Sequence, residues 1–210
     1  MKTENLEQSE IIPYEYRFGA NANQIKVQRY LKQFKKINPN LQKVISDRGA
    51  HIIFFNGSFT DNPEVAHLKG TLPRGYNGGW FDNQTCDQLS GGYFPNDKAI
   101  LLKTNGSILQ RVLSIDDSLY HELGHCYDYL IGESQYGKKL SELGIVSSAI
   151  EKEPFFFKYL NIPEEYVAHS FENFYSDKFQ KKSLKEKHPI IFKLLSDIEI
   201  KIIDREEGLK

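Results

Sequence analysis

An α+β fold is what this sequence predicts, and three observations carry it. Two short, β-rich apolar runs, His51–Phe55 and Lys98–Lys103, are followed by the turn pairs Asn56-Gly57 and Asn105-Gly106. Helical periodicity flanks them, and Ile190 to Ile203 places Ile191, Leu194, Leu195, Ile198 and Ile202 on one face. Between them lies Leu119-Tyr120-His121-Glu122-Leu123-Gly124-His125, an H-E-x-x-H string in helical context.

Composition bounds the function classes. With 210 residues, 40% hydrophobic and 26% charged, the chain suits a soluble globular protein with one sizeable core. Lys and Arg number 27 against 28 Asp and Glu, so no basic excess points to nucleic acid. No apolar run approaches the ~20 residues of a transmembrane segment. The start is polar and acidic and shows no signal peptide, which leaves a cytoplasmic location open. Cys86 and Cys126 could form one bridge but no disulfide framework.

In chain order, residues 1–13 read as a flexible tail, and Ile11 to Phe18 includes an extended segment. Asn21 or Asn23 caps a helix through about Ile37, with Ile25, Tyr30, Leu31 and Phe34 as its apolar positions. A second helix runs to about Asp47 and carries Leu41, Val44 and Ile45. Gly70 to Gly92 mixes glycine with aromatics and lacks periodicity. It reads as a long loop, either facing a substrate or packed on the surface.

The H-E-x-x-H helix has Ser114 and Asp117 as a capping box, Asp116 and Asp117 at its positive end, and Gly132 as its stop. Leu119, Leu123, Cys126 and Leu130 form its core stripe, which makes Cys126 a core thiol. His121 and His125 project about 40° apart from one face, so neutral imidazoles reach a single Zn²⁺. Glu122 is placed to take a proton from the zinc's water. Asp128, near that face, either orients an imidazole or is an exposed helical Asp.

Zinc needs a third protein ligand. Pro163 opens a helix on which Glu165, His169 and Glu172 share a stripe opposite Val167, Ser170, Phe171 and Phe174. Glu165 is favoured as the ligand, with Glu164 and His169 as alternatives. His188 lies in a basic stretch and reads as surface, and His51 and His67 have no motif around them.

His121 to Asp128 and Pro163 to Phe171 together resemble the protease domain of anthrax lethal factor. They resemble the clostridial Pro-Pro endopeptidases more closely, and Leu68 to Tyr76 looks like the loop those enzymes place over substrate. The resemblance implies a zincin-like metallopeptidase domain of gluzincin type over residues 14–210. Such a domain has a small β-sheet, an active-site helix and a C-terminal helical lobe. It implies one Zn²⁺ held by His121, His125 and Glu165, with Glu122 as general base. Tyr159 would donate to the oxyanion, with Tyr166 as its rival. Asp128 and His169 would back the ligands, His169 standing where the family has a Glu. Tyr76, in place of a family Trp, would touch an extended peptide or protein substrate together with Trp80 and Glu164. The resemblance further implies a monomer, extracellular action and proline-rich substrates. The strand near Ala99–Leu102 would pair with the peptide. The competing expectation is a catalytically silent peptide-binding or toxin-accessory module of the same fold. A structural zinc would need a fourth protein ligand such as His169.

Overall fold

Alternation of side chains along two apolar strands builds the centre of the molecule. The computed structural model describes residues 12–17, 23–72, 85–104 and 118–207. Strands β1 (Tyr14–Arg17), β2 (His51–Phe55), β3 (Gly91–Phe94) and β4 (Ala99–Lys103) form a sheet of order β1-β2-β4-β3. β1, β2 and β4 run parallel, and β3 is antiparallel to β4. Ile52, Phe54, Ile100 and Leu102 face the main helical core. Ile53, Phe55, Ala99 and Leu101 face a smaller cluster with Phe59 and Val65. Both faces are covered, which is why β2 and β4 read as continuous apolar runs.

On the main face pack α1 (Gln24–Phe34) and α2 (Pro39–Asp47). The Asn23 side chain accepts from the Lys26 amide at 3.2 Å and caps α1. Val27, Tyr30, Leu31 and Phe34 are its buried face. Ile25, expected among them, is 84% exposed. Gln42 is buried because its amide donates to the Phe34 and Ile37 carbonyls that end α1.

The C-terminal half is helical: α3 (Ser118–Tyr136), α4 (Gly144–Lys152), α5 (Pro163–Tyr175), α6 (Lys178–Lys187) and α7 (Pro189–Glu207). The expected stripe Leu119, Leu123, Cys126 and Leu130 is buried on α3, and the five apolar residues expected on α7 are buried too. α3 does not stop at Gly132. It runs one turn further to Gly137, whose φ of +69° suits a helix terminus. Gly132 instead lets the 138–140 backbone pass close by, since a Cβ there would sit 2.5 Å from the Leu140 nitrogen. No helix among the described residues is long and apolar enough to cross a membrane.

Other expectations are corrected. Ile12 is buried and the Pro13 carbonyl accepts from the Ile52 amide, so residues 12 and 13 belong with the sheet. Residues 1–11 and the capping residues Ser114, Asp116 and Asp117 lie outside the described residues. Cys86 and Cys126 are both free and buried. His188 is no surface residue: its Nδ1 lies 2.8 Å from the Glu153 carbonyl and its ring packs on Phe155. The stretch read as one long loop, Gly70 to Gly92, contains a short helical turn at Cys86–Gln88 and ends in the first two residues of β3.

Asp87 organises that turn. Its carboxylate accepts from Thr60, Thr85 (2.7 Å) and the Gly70 amide (2.8 Å), and these donors hold its pKa down at about 2. Stability from a depressed carboxyl is present above its unfolded pKa of about 3.8 and is lost as pH falls through about 2. The stability gap between wild type and Asp87→Ala in urea unfolding should therefore be constant above about pH 5 and close towards pH 2.

Candidate metal centre

The site is set where α3 crosses α5. Gly124 carries no side chain at the crossing, and a Cβ there would stand 2.6 Å from the Ala168 Cα. Two small residues let the helix backbones approach closely, which brings Glu165, in the first turn of α5, opposite the histidines of α3.

His121 Nε2 lies 3.2 Å from Glu165 Oε2, and His125 Nε2 lies 3.6 Å from Glu165 Oε1. Two ligands at ~2.0–2.1 Å from a tetrahedral zinc are separated by about 3.4 Å, so both spacings fit one ion. All three donor atoms fall within 4.8 Å of one another. The imidazole rings stand 86° apart, and each brings its Nε2 to the Glu165 carboxylate. Side-chain exposures of 23%, 20% and 29% leave the point open on one side, as a catalytic rather than a sealed structural site requires. His169 does not complete a fourth ligand for this set. It groups with His121 and Glu172 instead.

Glu122 points from the same helix towards β3. Gly91 makes room for it: a Cβ at Gly91 would be 3.1 Å from Glu122 Cγ and 3.2 Å from its Oε1. Burial pushes the Glu122 carboxyl up to about 7, opposed by His121 and reinforced by Glu165 and Glu172. Burial also disfavours charge on Glu165 and Glu172, but facing imidazoles outweigh it and hold both below the ordinary carboxylate range.

The remaining expected residues fall differently. Asp128 does not orient an imidazole. It is buried and accepts from the Ser141 amide at 2.7 Å and the Ser141 hydroxyl at 2.8 Å, tying α3 to the turn beyond it. His169 contacts Glu172 at 2.9 Å and packs edge-on against Phe155. Glu164 is half-exposed beside Lys139. Tyr159 stands on the Lys158–Asn161 turn before α5 and is 55% exposed. Its rival Tyr166 is buried, its hydroxyl donating to the Glu153 carbonyl. Tyr76 and Trp80 lie outside the described residues.

Two participants escaped sequence reasoning. Glu172 approaches His121 Nδ1 at 3.6 Å, and its signal was the i, i+4, i+7 stripe with Glu165 and His169. Gly91 was hidden in a glycine-rich stretch, where close approach and loop flexibility look alike.

Fold and site together define an α+β, zincin-like scaffold whose H-E-x-x-H helix and following Glu helix bring together a His-His-Glu set that could hold a metal ion. A family profile described as "Anthrax toxin lethal factor, N- and C-terminal domain" matches residues 2–198, and the chain belongs to that family. The structure of the Pro-Pro endopeptidase PPEP-2 from Paenibacillus alvei is similar, with TM-score 0.68 and 18% identity over 88% of this chain and 96% of that one. No curated protein sequence matches.

Substituting Gly124 tests the crossing. Ala in a helix interior ordinarily gains up to ~1 kcal/mol over Gly. Here the added methyl meets backbone, so Gly124→Ala should lose about 1–3 kcal/mol in chemical denaturation. If the His121, His125 and Glu165 set holds a metal ion, its affinity in a chelator competition should fall with it.

Proposed function

We propose that the chain is a zinc-dependent endopeptidase acting on extended peptides, with one peptidase domain over residues 14–210. The observation that carries the reading is the open His121, His125 and Glu165 set with the raised carboxyl of Glu122 beside it. A zinc held by that set would supply Lewis-acid polarisation and lower the pKa of water from 15.7 towards about 7.

The chain's own groups do the rest. Glu122, buried beside that set and against Gly91, accepts a proton from the attacking water and returns it to the leaving amine. Tyr159, half-exposed before the Glu165 helix, is assigned the donor to the developing oxyanion. β4 cannot pair with the peptide, because β2 and β3 occupy both its edges. β3 is assigned that role: among the described residues no strand pairs with it beyond β4, and its Tyr93 amide donates to the Glu122 carboxyl. Tyr76, Trp80 and Glu164 are assigned to flanking side chains of the substrate, in keeping with proline-rich peptides. The similar PPEP-2 structure is that of a Pro-Pro endopeptidase, an activity of the same class.

The test is cleavage of a proline-rich peptide library read by mass spectrometry. The wild type should cut, chelation should abolish cutting and zinc should restore it. Glu122→Ala should retain zinc yet lose about 100-fold or more in kcat/KM. A zinc-loaded wild type that binds peptides and cuts none would make the chain a binding module.

A further inference from the structure

The geometry points to Glu172, clamped by His169, as the positioning residue that fixes the ring of His121 for the metal. The inference rests on the metal-centre reading above. A histidine that binds metal through Nε2 must carry its proton on Nδ1, and an acceptor at Nδ1 sets that tautomer and the ring's rotation. His121 offers Nε2 to the Glu165 side, and its Nδ1 faces Glu172 Oε2 at 3.6 Å. The same oxygen lies 2.9 Å from His169 Nδ1. One carboxylate oxygen thus serves two imidazoles, the shorter contact anchoring it and the longer one addressing the ligand.

The arrangement follows from helix spacing. Glu165, His169 and Glu172 lie at i, i+4 and i+7 on α5, so ligand, clamp and acceptor form one column facing α3. Phe155 closes the column by packing edge-on against the His169 ring at 4.7 Å between centroids. His169 is therefore no ligand of this set. Its work is done through Glu172, which would otherwise be a three-torsion side chain free to leave His121.

The readout is zinc affinity of metal-stripped protein in competition with a chromophoric chelator, with thermal unfolding as the folding control. Glu172→Ala should weaken zinc by about 10- to 100-fold, and His169→Gln by a smaller factor. The double variant should lose no more than Glu172→Ala alone, because both act through one carboxylate. Placing a carboxylate one turn earlier, His169→Glu in the Glu172→Ala background, should restore part of the affinity. In ring-nitrogen NMR of the zinc-loaded wild type, His121 should carry its proton on Nδ1. Unchanged affinity in Glu172→Ala, or losses that add fully in the double variant, would overturn the inference and leave the centre standing. A second zinc equivalent that disappears in His169→Gln would make the cluster a cation site instead. A wild type that takes up no zinc would remove the centre itself.

Discussion

The approach of two helix backbones at Gly124 and Ala168 is the constraint on which the site depends. The two ligand histidines are local to α3 and need only helical spacing. Glu165 arrives from forty residues further on, and its carboxylate reaches both imidazoles only because the helices nearly touch. A side chain at Gly124 would meet the Ala168 backbone, widen the crossing and open the 3.2 and 3.6 Å spacings beyond what one ion spans. Leu123, Tyr127, Val167 and Phe171 bury the flanks of that crossing, so packing holds the geometry and the polar groups merely occupy it.

The second consequence is electrostatic. Burial raises all three carboxyl groups near the histidines, yet they divide. Glu165 and Glu172 each bond an imidazole and stay ionised. Glu122 has no imidazole bonded to it, and burial, reinforced by Glu165 and Glu172, pushes its carboxyl up against the opposing pull of His121 and the Tyr93 amide. One cluster thus holds two carboxyl groups below the ordinary range and a third above it, the division being set by which of them an imidazole bonds.

Much of this was legible in the chain itself. The H-E-x-x-H spacing, the Pro163 helix start and the polar stripe on α5 are local patterns, and the structure brings His121, His125 and Glu165 together as they imply. β2 and β4 were equally plain, because strands covered on both faces must be uniformly apolar. What stayed hidden depends on tertiary neighbours. Gly132 has the composition of a helix stop, and only the passing 138–140 backbone explains it inside α3. Asp128 lies three residues after a ligand, yet Ser141 claims both its oxygens. His188 sits among lysines in sequence, and burial against Phe155 and Glu153 is visible only in three dimensions.

β3 shows why glycine misleads a sequence reading. Gly91 and Gly92 look like flexible loop, yet each replaces a side chain that would collide, with Glu122 at Gly91 and with Phe59 at Gly92. The absent side chain at Gly91 lets the edge strand lie directly on the carboxyl group of Glu122. A peptide paired with that edge would have its backbone registered against β3 by hydrogen bonds whose spacing is fixed. Glu122 belongs to α3, but its carboxyl lies against Gly91, so under the proposed function the register of a paired peptide would set which bond meets it. Recognition of backbone and chemistry on backbone would then share one ruler. Glu164, which stands beside Lys139 and not on that strand, would bear on which sequences are accepted and not on where the cut falls.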